Sequence, residues 1–223
     1  MSNFARTERQ RLADLLTAAG PEAPTLCAGW TARDLAAHLL LRERRADAAP
    51  GIRVKALAGW TAKVQAGYAA RPYEESVRVF RAGPPRFSPF ALARVDEAAN
   101  TVEYFVHAED VRRAQGGERG WEQGGGPEDV PAGLAAALWR RLPLLARLEA
   151  GRKSPVRLAL VSPGRGRIEV GPAGAEVVEV TGEPGELVLF AFGRGARAAL
   201  TVEGAEGAVA ALRAALPLPP ADR

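Results

Sequence analysis

The stretch Asn100-Thr-Val-Glu-Tyr-Phe-Val-His-Ala-Glu-Asp-Val-Arg-Arg113 constrains the fold most, because it sets a carboxylate one helical turn before one of the chain's two histidines. At about 100° per residue, Glu103, His107 and Asp110 fall at the edge of an apolar stripe formed by Leu92, Val95, Ala99, Val102 and Val106. Arg94, Glu97, Thr101, Tyr104 and Arg112 are expected on the opposite face. A carboxylate turned inward beside an imidazole is costly unless the two bond each other or share a cation. The second histidine, His38, lies in Asp34-Leu-Ala-Ala-His-Leu-Leu-Leu41, a run apolar enough that some of it must be interior. His38, Glu103 and His107, drawn from two helices, make a facial ligand set for a divalent metal with positions left for water or substrate. The bland alternative, two core histidines satisfied by their neighbours, stays open at this point.

With 223 residues, 47% of them apolar, the chain can bury a core as one large domain or two small ones, and two is the expectation. The single cysteine, Cys27, excludes an internal disulfide and a CxxC motif, which fits a reducing cytoplasm, and its apolar flanks mark it as a packing residue. The charged start has no apolar signal region, and no segment approaches a membrane span, so neither secretion nor membrane insertion is expected. The net charge of +4 comes from basic and acidic residues mixed together, which argues for solvated faces and against a nucleic-acid footprint. Gly124-Gly-Gly126 lacks a following Lys-Ser/Thr, so a phosphate loop is unsupported.

Helical spacing predicts a first helix over Asn3 to Ala19, stopped at Gly20-Pro21, and a second beginning at Thr31 with Asp34 closing a capping box. Trp30 is expected to staple onto Leu35. A third helix over Ile52 to Ala69 would use Val54, Leu57, Trp60, Val64 and Tyr68. A short one follows over Pro72 to Phe80, and a fourth long helix runs from Pro89 to Gln115. Four long helices with modest loops imply a bundle, a frame on which facing side chains build metal sites. The Gly-rich span 116–126 reads as a linker. Beyond it come a helix over Val130 to Ala150 with Pro143 as a kink, strands at Val156–Val161, Gly166–Val170 and Ala175–Val180, a helix from Glu183 to Gly193, a strand over Ala198 to Glu203 and a last helix over Ala205 to Ala215.

The motif Trp30-Thr-Ala-Arg-Asp-Leu-Ala-Ala-His38, preceded by Leu26-Cys-Ala-Gly29, together with the stretch around His107, resembles the mycothiol-dependent maleylpyruvate isomerase family. The nearest likeness is to an actinobacterial metal-binding branch within the DinB-like superfamily. It covers most of residues 1–115, and Gly182-Glu-Pro-Gly-Glu-Leu-Val-Leu-Phe-Ala-Phe-Gly-Arg194 adds a weaker likeness in the second half. The fold this implies is mainly α: a DinB-like four-helix bundle over residues 1–118, then a small α+β domain over 119–223. The resemblance also implies that His38, Glu103 and His107 hold a divalent metal, zinc before nickel, beside a low-molecular-weight thiol such as mycothiol. A small-molecule substrate follows, in a cytoplasmic isomerase or S-transferase. The same ion could instead serve a hydrolase or brace a non-enzymatic module. Asp110 could orient a ligand imidazole or pair with Arg113 or Arg42, and Arg194 could bind an anionic substrate group. Oligomeric state is not legible.

Overall fold

The computed structural model describes residues 3–86, 88–115 and 128–220. The chain divides into two compact units, Met1–Gly120 and Trp121–Arg223. Among the described residues, no helix is long and apolar enough to cross a membrane.

The first unit starts with α1 (Phe4–Ala19), which buries Ala5, Leu12, Ala13 and Leu16 and ends at Gly20, whose positive φ of 80° lets the chain leave the helix while its N–H still reaches the Leu16 carbonyl. Helix α2 (Ala32–Arg44) starts as its sequence predicts. The Thr31 side chain accepts from the Asp34 N–H, and the Asp34 carboxylate accepts from the Thr31 N–H at 3.0 Å. Such a cap contributes about 1 kcal/mol and pins the register of everything after it, including His38 two turns on. Leu35, Leu39, Leu40 and Leu41 are all buried, so α2 is a central helix.

Helix α3 (Ala58–Ala69) begins later than the expected Ile52, after two 3-10 turns at Ala49–Ile52 and Lys55–Leu57. Gly51 is pressed so close to the Leu57 carbonyl and the Thr61 hydroxyl that a side chain there would collide with both, which closes this segment into a tight corner. Trp60, read as a core residue, is 44% exposed. Its indole N–H donates to Asp47 at 3.1 Å and the Arg45 guanidinium lies over its ring, so a surface position satisfies both its polar tip and its face. Ile52, Val54 and Leu57 are exposed too, leaving Val64 and Tyr68 to seat α3 on α2. Helix α4 (Tyr73–Ala82), expected as a minor piece, buries Tyr73, Ser76, Val77 and Phe80 and packs on both α1 and α2.

Helix α5 (Ala93–Arg112) packs along α1 and meets α2 through the histidine rings. Its facing differs from the stripe expected. Thr101 and Tyr104 are fully buried, whereas Leu92 and Val95 are exposed. From Asn100 to Ala114 nearly every position is buried, and a helix covered on all sides has no single apolar stripe to betray its orientation.

In the second unit, α6 (Ala132–Leu148) carries Pro143 inside it and packs on α7 (Pro184–Ala191), every residue of which is buried. Four strands, β1 (Arg157–Ser162), β2 (Gly166–Val170), β3 (Val177–Thr181) and β4 (Thr201–Glu203), form a sheet in the order β2-β1-β3-β4. The β1–β3 pair is parallel, with Leu158 opposite Val178 and Leu160 opposite Val180; the two outer pairs are antiparallel. The expected strand over Ala198 to Glu203 shortens because a 3-10 turn at Gly195–Arg197 precedes it, and α8 (Glu206–Ala215) closes the fold. The Gly-rich span read as a linker lies outside the described residues.

Candidate metal centre

His38 on α2 and Glu103 and His107 on α5 converge, with one donor atom of each lying within 4.8 Å of the others. Glu103 Oε1 is 3.0 Å from His107 Nε2 and 3.5 Å from His38 Nε2, and the two rings meet edge to face at 5.5 Å. One carboxylate oxygen therefore faces two imidazole nitrogens.

The remaining nitrogen of His107 is also engaged: Asp110 Oδ2 stands 2.9 Å from Nδ1. Asp110 is fully buried, and the Cys27 thiol donates to the same oxygen at 3.2 Å. An ionised carboxylate only accepts, so Asp110 fixes a proton on Nδ1 and turns the Nε2 lone pair toward Glu103. Two acceptors at 3.0 Å repel unless something positive lies between them. A proton on Nε2 meets that need, and so does a metal ion, and the residues fit one: two neutral-capable imidazoles, a carboxylate, and a supported tautomer.

The electrostatics agree. Burial opposes charge on His107, but Asp110, Cys27 and Glu103 outweigh it and hold the ring well above its ordinary pKa. Burial likewise opposes charge on Glu103, yet Arg42, His107 and His38 keep the carboxyl well below the usual range. His38 is pushed down, first by burial, with partial opposition from its hydrogen bond to Glu103. In the ion-free state, His107 carries the positive charge at this point and His38 presents a lone pair.

Three neighbours complete the centre. The loop before α2 is tied to α5 by the Leu26 N–H donating to the Asp110 carbonyl at 3.0 Å, which brings Cys27 under His107. Trp30, read as a staple, packs against the core and also lies 5.0 Å from the His38 ring. With Thr61, Ala62, Gln65 and Ala66 it lines a cavity of about 410 Å³ that opens beside His38. Arg42 reaches Glu103 Oε1 at 3.3 Å. Its place one turn after His38 was readable, but its partner depends on α5. Of the two roles open for Asp110, imidazole orientation is supported directly by its contact with His107 Nδ1. Arg194 stands in the second unit, where its guanidinium donates to the Phe192 carbonyl at 2.6 Å.

Comparison with solved structures finds the mycothiol-dependent maleylpyruvate isomerase, at 15% identity and a TM-score of 0.52, covering 97% of this chain and 93% of that one. A histidine-to-alanine mutant of that isomerase aligns equally well. Among curated proteins, none matches. The family model described as the mycothiol maleylpyruvate isomerase N-terminal domain matches residues 5–143, more than half of the chain, and the protein belongs to that family.

Proposed function

We propose that the protein is a metal- and thiol-dependent enzyme, an isomerase or S-transferase acting on a small electrophile, with His38, Glu103 and His107 as the metal ligands. The observation that carries this is the convergence of two imidazoles and a carboxylate on one point that a shared cation can occupy. When bound, a divalent ion such as zinc would lower the pKa of a thiol or water ligand enough to give a nucleophile at neutral pH. The chain's own groups prepare for it. Asp110 holds His107 in the ligand tautomer, burial keeps His38 neutral, and Glu103 contributes the negative charge that compensates a cation. The cavity beside His38, walled by Trp30, Ile52 and alanines, offers Gln65, Thr61 and Asp34 as polar contacts and has no lysine or arginine in its lining, which suits an uncharged, hydroxyl-bearing thiol. Family membership supports mycothiol as that thiol.

The test is elemental analysis of untagged protein, followed by assay of small electrophiles with and without mycothiol. Near-stoichiometric zinc or nickel, lost in His107→Ala, and turnover that requires both metal and thiol are expected. A folded wild-type protein that takes up neither metal sinks the proposal. Metal removal that unfolds the bundle would favour a structural ion, and turnover without thiol a hydrolase.

A further inference from the structure

We propose that Arg42 is a specificity-determining residue that binds the carboxylate of an anionic substrate at the exposed edge of the metal centre. This rests on the metal reading above and adds the residue that would recognise a substrate carboxylate. Helix α2 places Arg42 one turn after His38, on the same face. Its Nη1 lies 3.3 Å from Glu103 Oε1 and 3.3 Å from Asn100 Oδ1. Both contacts use one nitrogen. Among the described residues, Nη2 and Nε have no hydrogen-bond partner, so one edge of a planar fork shaped for a carboxylate remains to be filled.

Exposure sets the direction of approach. The side chains of Glu103 and Arg42 are 21% and 17% exposed, against 7% for His38 and 10% for His107. A molecule arriving at this edge therefore meets Glu103 and Arg42, whereas one entering the cavity beside Trp30 meets His38. The cavity on the His38 side has no cationic side chain among its lining residues, so the two approaches differ in charge. Charge accounting gives the same result. Without a metal ion, Glu103 faces both Arg42 and protonated His107. A divalent cation would displace the His107 Nε2 proton and leave the site one positive charge richer beside Arg42, a charge that an anionic ligand relieves. Asn100 keeps the guanidinium in place through Nη1 while the other edge engages the ligand.

Succinate and its uncharged counterpart succinamide separate charge from shape, and neither carries an electrophilic alkene that would react. Calorimetric titration of the zinc-loaded protein should give succinate binding that exceeds succinamide binding. Arg42→Gln should weaken succinate at least tenfold and leave succinamide unchanged, with Arg42→Lys in between because it keeps the charge but loses the fork. Zinc content should be equal or higher in Arg42→Gln, since a like charge beside the ion is gone. Succinate binding that is absent in the wild type, or equal in Arg42→Gln, overturns the inference while leaving the metal reading intact if zinc is present. A wild type without zinc overturns both.

Discussion

Two of the polar clusters among the described residues of the bundle solve the cost of burial in opposite ways. Arg9, sent inward from α1, meets Glu43 at 2.5 Å, the Tyr104 hydroxyl at 2.8 Å, Asp96 at 3.3 Å and the Phe80 carbonyl at 3.2 Å, with its guanidinium over the rings of both Phe80 and Tyr104. That cluster contains its own cation. The centre at His38, Glu103 and His107 gathers lone pairs, and its nearest fixed positive charge, Arg42, stands at the edge. The two are joined: Asn100 donates to Asp96 at 2.7 Å and accepts from Arg42. A cluster built round a permanent guanidinium serves the fold, and one whose central charge is an exchangeable proton on His107 is a place where a metal ion can take the proton's position.

If that contrast is right, substitutions in the two clusters should have exchanged consequences. Arg9→Met strips the first cluster of its cation and leaves Glu43 buried without it, which should cost about 3–5 kcal/mol in urea unfolding and leave zinc stoichiometry unchanged. His38→Leu should do the reverse, abolishing zinc uptake while the metal-free bundle unfolds at nearly the wild-type urea concentration. Zinc loss in Arg9→Met, or a collapse of the metal-free fold in His38→Leu, would erase the distinction.

Asp110→Asn sharpens it at the next level of magnitude. The variant keeps the size of the side chain but loses the charge that fixes the His107 proton, and should weaken metal binding about tenfold to a hundredfold in a chelator competition, with folding retained. Unchanged affinity would mean that Glu103 alone sets the tautomer.

The contrast was only partly legible in the sequence, for a physical reason. Caps and breakers act locally, so the Thr31–Asp34 box and the Gly20 stop were readable, and with them the position of His38. Glu103 and His107 follow from spacing within one helix. Facing across helices does not follow from spacing when a helix is buried all round. Spacing alone therefore turns Tyr104 and Thr101 outward, whereas both are buried, and the Arg9 cluster stays hidden from it. Trp60 failed for a related reason: periodicity cannot know that Asp47 and Arg45 wait at the surface for an indole. The second unit puts its charges where patterns predict. Arg157, Glu169, Arg167 and Glu179 pair on the exposed sheet face, while Leu158, Leu160, Val178 and Val180 fill the interior.

The Arg9 cluster should also reveal itself through pH. Burial raises the Glu43 carboxyl above its ordinary 4.5, and Arg9 and Tyr104 only partly pull it back. A carboxyl raised by folding stabilises the protein while protonated, and that contribution is lost as pH climbs from its unfolded value through its folded one. Glu43→Gln, neutral at every pH, should therefore gain on the wild type in urea unfolding as pH rises from about 4.5. A difference that stays flat, or that moves the other way, would mean the Arg9 pairing outweighs burial.

The smallest effect is expected at Cys27, and it separates support from ligation. Its thiol sits 3.2 Å from Asp110 and 3.9 Å from His107 Nδ1, near enough to form an alternative donor set with those two residues. A thiol is a weak donor, so if Cys27 only steadies Asp110, Cys27→Ala should change zinc affinity by less than about tenfold, below the Asp110→Asn effect. If instead the sulfur binds the ion, cobalt-substituted wild-type protein will show a thiolate charge-transfer band that Cys27→Ala abolishes. The expected spectrum lacks that band, because the proton fixed on Nδ1 by Asp110 leaves Nε2, on the far side of the ring from the sulfur, as the nitrogen that can coordinate.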